Sequence, residues 1–362
     1  MAATEGFLDD ARRQVEICNA CRYCEGYCSV FPAITRQTAF AQGDLTQLAN
    51  LCHNCRGCYY ACQYTPPHEF MLNLPAALAE VRQDSWDRFA WPQPVSRLFQ
   101  RNGLALAGAA AAGLTVLFAV ILALPDTGAP GFYAYMAHGL MVAIFTPAFL
   151  LPLAVMALGL RRYWAEVRGE RIRLAHVTKA LHDAATLRNM GGGAAGGCNY
   201  EDEDRYSNTR RLFHQATMYG FLLCFASTSA GTILHYVFDM QAPYGLFSLP
   251  KLLGVPGGLL LCIGTGGLAW LKTKADPALG AARVMGGEMG FIALLFAVGA
   301  TGLILYAATG TALVQPLLAL HLGVVLAFFL LIPYSKMAHG FYRMAALLRE
   351  AQNAGRPVAG GE

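Results

Sequence analysis

Residues 103–124 read GLALAGAAAAGLTVLFAVILAL, without one charge. An α-helix needs ~20 such residues to cross the hydrocarbon core of a bilayer. Five more runs of that kind follow, at about 132–160, 212–238, 252–271, 289–310 and 314–334. In lipid every backbone polar group must find its partner within the protein, which leaves helices or closed barrels. Runs this long and this evenly apolar are helices. Composition agrees: of 362 residues 55% are hydrophobic and 14% charged, against about 25% charged in an ordinary soluble domain. Pro147 and Pro152 should tilt or kink the second span. The expected architecture is all-α, with a polar domain at 1–100, a six-helix membrane bundle at 101–340 and a polar tail at 341–362.

The charges orient that bundle. Every lysine and arginine except Lys251 falls within 1–102, 161–211, 272–288 or 335–362. Six spans put these segments on one side, and the positive-inside rule makes that side the cytoplasm of a bacterial inner membrane, with both termini inside. The other loops hold Asp126, Asp239 and an aromatic fringe of Tyr133, Tyr135, Tyr244 and Phe247. The N-terminus has no apolar core of a secretory signal. A net charge of +4 is too small to suggest nucleic acid. In the loop 161–211, residues 161–190 read as a basic helix along the inner surface. GGGAAGG at 191–197 is a linker or a docking element, and Cys198 is a thiol with no evident partner. The chain has no internal repeat and no Rossmann, Walker or nucleophile-elbow motif.

Eight of the 11 cysteines crowd into two matching sets. Cys18, Cys21, Cys24 and Cys28 follow C-x2-C-x2-C-x3-C, and Cys52, Cys55, Cys58 and Cys62 repeat it. In a reducing cytoplasm such spacing points to metal rather than disulfides. Three thiolates at i+3 steps grip one cubane while the fourth reaches the other cluster. Cys18, Cys21, Cys24 and Cys62 would then hold one [4Fe–4S] cluster, and Cys52, Cys55, Cys58 and Cys28 the second. Zinc sites more often use separated C-x2-C pairs. The proline that ends the bacterial ferredoxin run is replaced by Ser29 and Gln63, and ITRQTAFAQGDLTQLANL between the sets lacks strand alternation. A helical ferredoxin domain is expected.

Histidines inside spans are costly and mark function. His214 and His235 lie at the ends of the third span, and His321 and His339 bracket the sixth. Eighteen residues make five helical turns, so the latter two share a face about 27 Å apart. Antiparallel packing then pairs His214 with His339 on the cytoplasmic side and His235 with His321 on the far side, a ligand set for two b haems. His138 is a rival for the outer site. His176 and His182 should be solvated, His53 and His68 should pack locally, and Cys224 and Cys262 should be small apolar side chains.

The cysteine sets, GGGAAGGCNYEDE, RRLFHQATMYGFLLCFASTSAGTILHYVF and HLGVVLAFFLLIPYSKMAHGFYR together resemble the tricarballylate-utilization protein B family (TcuB, also called CitB). They are also similar to the C-terminal half of the fused cobalamin-pathway protein CobZ. PYSKMAHGF alone resembles the last helix of respiratory nitrate reductase gamma subunits, where a histidine ligates a b haem. The resemblance implies a membrane protein that reoxidises the FAD of a tricarballylate dehydrogenase, which forms cis-aconitate, and passes electrons to quinone. It would have no substrate-oxidising site of its own. The alternative is the redox half of a CobZ-like oxygenase system in cobalamin biosynthesis.

Overall fold

The computed structural model describes residues 2–124, 131–191, 206–242, 244–281 and 285–354. Asp126, Cys198 and nearly all of the glycine run lie outside them. Among the described residues the protein is all-α, with thirteen helices numbered in chain order. The cysteine domain contains α1 (Ala2–Cys21), α2 (Val30–Thr35), α3 (Gln42–Leu51), α4 (Gly57–Tyr60) and α5 (Leu74–Phe89). Six helices are long and apolar enough to cross a membrane: α6 (Gln93–Leu122), α7 (His138–Glu166), α9 (Thr209–Phe238), α10 (Leu249–Lys274), α11 (Met285–Ala307) and α12 (Val314–Leu331). The short α8 (Leu174–Ala185) and α13 (Ala338–Asn353) complete the set. This fits a multi-pass membrane protein.

The outer surface of the bundle carries Val116, Leu117, Val120, Leu222, Ile233 and Val237, all exposed. A belt of that kind suits lipid rather than water. Between helices the contacts are close. A Cβ on Gly264 would stand 2.4 Å from the Thr217 nitrogen, and one on Gly290 would stand 2.5 Å from the Gly103 carbonyl carbon. Small residues at the crossings let backbones approach where no hydrophobic effect drives association.

Three element boundaries differ from the sequence expectation. The first span begins at Gln93, and its polar opening turns are held inside the protein: Phe99 is buried in the shared core and Gln100 Nε2 donates to Tyr334 O, just after the sixth span, at 2.8 Å. The sixth span stops at Leu331, just before Ile332 and Pro333. Ile332 is still in helical geometry and caps the turn by donating to Phe329 O, but Pro333 has no N–H to continue the ladder. The basic stretch 161–190 is not one helix either. It breaks at 167–173, where Gly169 packs directly on the Trp164 indole, and resumes as α8.

Residues 341–353 are no tail. They form most of α13, whose Tyr342, Ala345, Ala346 and Leu347 are buried. Gln47 Nε2 donates to Ala346 O at 2.9 Å, and Arg349 Nε to Val167 O at 3.0 Å. One continuous core runs from Val15, Leu45 and Leu78 through Tyr163 and Ala346 to Leu295 and Ala327. Arg88 Nη1 meets Glu166 Oε2 at 2.6 Å, Thr46 Oγ1 donates to Glu166 Oε1 at 2.7 Å, and Tyr163 O–H donates to Gln47 Oε1 at 2.5 Å. The cysteine domain is thus riveted to one end of the bundle.

Candidate redox sites

The cysteines come together as two mixed sets. Burial pushes the Cys18 thiol up to about 12, and the next causes are Cys62, Cys24 and Cys21. Cys24 rises to about 12 through burial, then Cys62 and Cys21. Cys28 is raised by burial, then by Cys55 and Cys52. Cys58 is raised by burial, then by Cys55, Cys52 and Cys28. Each fourth cysteine therefore has the other motif's thiols as its electrostatic neighbours.

Thiols that burial and mutual repulsion hold protonated lose their protons when a cation binds them. A largely apolar cavity is lined by Cys28, Cys52, Cys55 and Cys58 together with Val30, Phe31, Leu74 and Leu78. Among the described residues no three His, Cys, Asp or Glu side chains converge on a point suited to a single metal ion. Local backbone shapes the wrap. Arg22, Asn54 and Arg56 take left-handed conformations between the ligating positions, a strain that folds concentrate at functional sites. Asn54 N–H donates to Cys52 Sγ at 3.3 Å and Tyr64 N–H to Cys62 Sγ at 3.4 Å.

His214 on α9 and His339 on α13 face each other with ring centroids 5.9 Å apart and planes at 89°. Two imidazoles on one iron, with bonds of ~2.0–2.1 Å, put their centroids about 6 Å apart. His339 Nδ1 lies 2.5 Å from Lys336 O, the partner that fixes a ligating histidine's tautomer and leaves Nε2 free. Burial, then His214, pushes the His339 imidazole down to about 3. The ring is therefore neutral near pH 7. Among the described residues, His214 Nδ1 is buried without a hydrogen-bond partner.

The far side differs from the expected pairing. His235 faces His138 at 4.3 Å between centroids, and His138 Nε2 lies 2.8 Å from the Tyr236 hydroxyl. His321 is engaged elsewhere, with Nδ1 2.9 Å from Thr301 Oγ1 on α11. Register explains this. Phe221 packs on Phe328 at 5.8 Å, so antiparallel α9 and α12 bring His321 level with residue 228, about 10 Å short of His235. Matching levels over the sixth span assumed one helix from His321 to His339, and the break after Leu331 removes that ruler.

Comparisons with known proteins place the chain in a family. A family model described as Citrate utilization protein B Fer4-like domain matches residues 11–87, and one described as Citrate utilization protein B matches residues 92–360. The curated Citrate utilization protein B of Escherichia coli is 42% identical over 347 residues, 94% of this chain and 91% of that one. The chain belongs to the citrate utilization protein B family. No solved structure matches it.

In this family member several site residues escape sequence reasoning. Glu288 at the start of α11 accepts from Lys272 of α10 and from Lys336, the latter at 2.5 Å. This ion triad ties two spans to the turn before His339. Arg210 and Arg343 contact the second cysteine motif, and the signal for them was present: each stands four residues from a singled-out histidine. His68 behaves as expected, with its ring packed against Tyr64 and Phe70. His182 is exposed, and His176 Nδ1 accepts from Arg173 N–H at 3.2 Å.

Proposed function

We propose that this protein is an electron-transfer subunit that reoxidises the reduced FAD of a partner tricarballylate dehydrogenase and delivers the electrons to membrane quinone. The observation that carries the reading is the succession of donor sets. Cys21 of the first set is exposed at the surface, Cys58 of the second has Cys24 of the first among its neighbours, and beyond it lie His214 and His339. The Escherichia coli relative is named for citrate utilization, and a partner acting on a tricarboxylate fits both that name and the sequence resemblance.

The first set would hold one [4Fe–4S] cluster through Cys18, Cys21, Cys24 and Cys62. The second would be held by Cys52, Cys55, Cys58 and Cys28, and a b haem by His214 and His339. When bound, these groups supply one-electron transfer. The partner takes two electrons and two protons from tricarballylate to give cis-aconitate, and the flavin gives up those electrons one at a time. This chain's residues exclude water from the second set with Val30, Phe31 and Leu78, and present neutral His339 through its Nδ1 contact. A second haem would use His235 with His138, the nearer ring, or with His321. The first pairing requires the rings to part from 4.3 Å to about 6 Å. The cysteine domain faces the cytoplasm in this reading, because the basic segments gather at its end of the bundle.

The test is a visible and EPR spectrum of the purified protein before and after dithionite, with iron analysis. The expected result is about eight non-haem irons and a reduced b-type α-band that the flavoprotein with tricarballylate also produces. A colourless preparation, or one without the α-band, would overturn the corresponding assignment.

A further inference from the structure

One short stretch of chain, 51–54, lies between the second cysteine set and the His214–His339 pair, and it is gripped from several sides. Arg343 of α13 donates from Nη1 to Leu51 O at 2.6 Å and from Nη2 to Cys52 O at 2.7 Å. Arg210 of α9 donates from Nη1 to Asn54 O at 2.6 Å. Arg82 of α5 adds a bond to Cys52 O at 2.8 Å. Arg210 precedes His214 by four residues, and Arg343 follows His339 by four. Each arginine is therefore one turn from its histidine on the same helix face, displaced toward the cysteine domain. The helices that carry the two imidazoles also carry the two clamps.

His53 sits inside this grip. Its side chain lines the cavity of Cys28, Cys52, Cys55 and Cys58. Its electrostatic neighbours are Arg343, His214, Arg210 and His339. It is bonded through one peptide unit to Cys52, a member of the second set.

We propose that the 51–54 stretch, with the His53 ring, is the electron bridge from the second cluster to the inner haem, and that Arg210 and Arg343 are positioning residues that fix its length. This rests on the cofactor assignment above. The step moves one electron from the reduced cluster to the ferric iron; no bond is made or broken and no proton is required. The clamp charges also act on the cluster. Together with Arg82, which also bonds Cys52 O, three guanidiniums beside a thiolate-ligated centre favour its more negative, reduced form, which draws electrons inward from the first set. The forked bonding of Arg343 to two carbonyls is a geometry that lysine cannot reproduce, although it keeps the charge.

The experiment uses the full protein in detergent with His53→Leu, His53→Gln, Arg343→Lys and Arg343→Gln variants. It reads EPR of both clusters, haem content, midpoint potentials and the single-turnover rate of haem reduction after the first cluster is reduced. In His53→Leu, both clusters and haem should load at wild-type levels while haem reduction slows about tenfold or more. Arg343→Gln should lower the second cluster's potential. Arg343→Lys should restore that potential yet leave the transfer slow. If either His53 variant is fully loaded and reduces its haem at the wild-type rate, the bridge is wrong. If Arg343→Gln leaves the potential in place and Arg343→Lys transfers at the wild-type rate, the positioning role is wrong. A wild-type protein without the α-band overturns the haem assignment itself, a separate result that shows before any variant is made.

Discussion

Cys28 and Cys62 close two motifs in sequence, and each has thiols of the opposite motif as its electrostatic neighbours. Cys28→Ser should therefore remove the EPR signal of the cluster on Cys52, Cys55 and Cys58, with loss of about half the non-haem iron, and spare its sequence neighbours. Cys62→Ser should do the reverse. An altered Cys18-side signal alone in Cys28→Ser would end the crossover assignment. For the haem, His214→Ala and His339→Ala should each abolish the same α-band component, because their rings share one site at 5.9 Å. His321→Ala and His138→Ala then decide the other ligand. With His321 bonded to Thr301 and His138 beside His235, loss of the second haem is expected from His138→Ala. A second haem that survives His138→Ala and disappears in His321→Ala would return the assignment to His321.

Between elements, ion pairing at the bundle's end matters more than its count of charges suggests. Glu288 links α10, α11 and the turn that carries Lys336. Replacing it by glutamine leaves two ammonium groups facing each other without their anion. Glu288→Gln should cost about 1–3 kcal/mol, read as a lower thermal midpoint in detergent, and should loosen His339 enough to broaden the haem spectrum. An unchanged midpoint would show that the triad is solvent-screened. The same region marks where sequence reading reached its limit. The six spans were legible because lipid imposes one long apolar pattern on each, and the eight cysteines because ligand spacing is local in the chain. Pairing of His235 was not legible, since it depends on helix register, which Phe221 and Phe328 set through packing. The break before His339 was readable in Pro333 and was overridden by the apolar run around it. Nothing local announces that Arg343 reaches back to Leu51 across the whole length of the chain.

At the scale of the molecule, the question is where electrons enter. Within helices α1 to α5 and their loops, Tyr23, Tyr60, Phe70 and Met71 are the large hydrophobic side chains exposed among the described residues. Tyr23 follows Cys21 just after α1, Tyr60 ends α4 two residues before Cys62, and Phe70 and Met71 lie in the loop after Cys62. Phe70 O accepts from Arg13 Nη1 at 3.0 Å, which folds the second loop back against α1, the helix that ends at Cys21. An exposed cluster edge ringed by aromatic and thioether groups is the composition of a small, transient protein interface rather than of ordinary solvated surface. Tyr23 is 69% exposed and Met71 55%, so replacing both by aspartate should leave the fold and cofactor loading intact. Transfer from the substrate-reduced flavoprotein should nonetheless slow about tenfold, the effect of losing central apolar anchors, while dithionite still reduces the protein at the wild-type rate. Cross-links from the flavoprotein should fall on the same two loops. Links confined to the far end of the bundle, near Asp239, would place the partner on the opposite side of the membrane and overturn both the docking face and the cytoplasmic orientation.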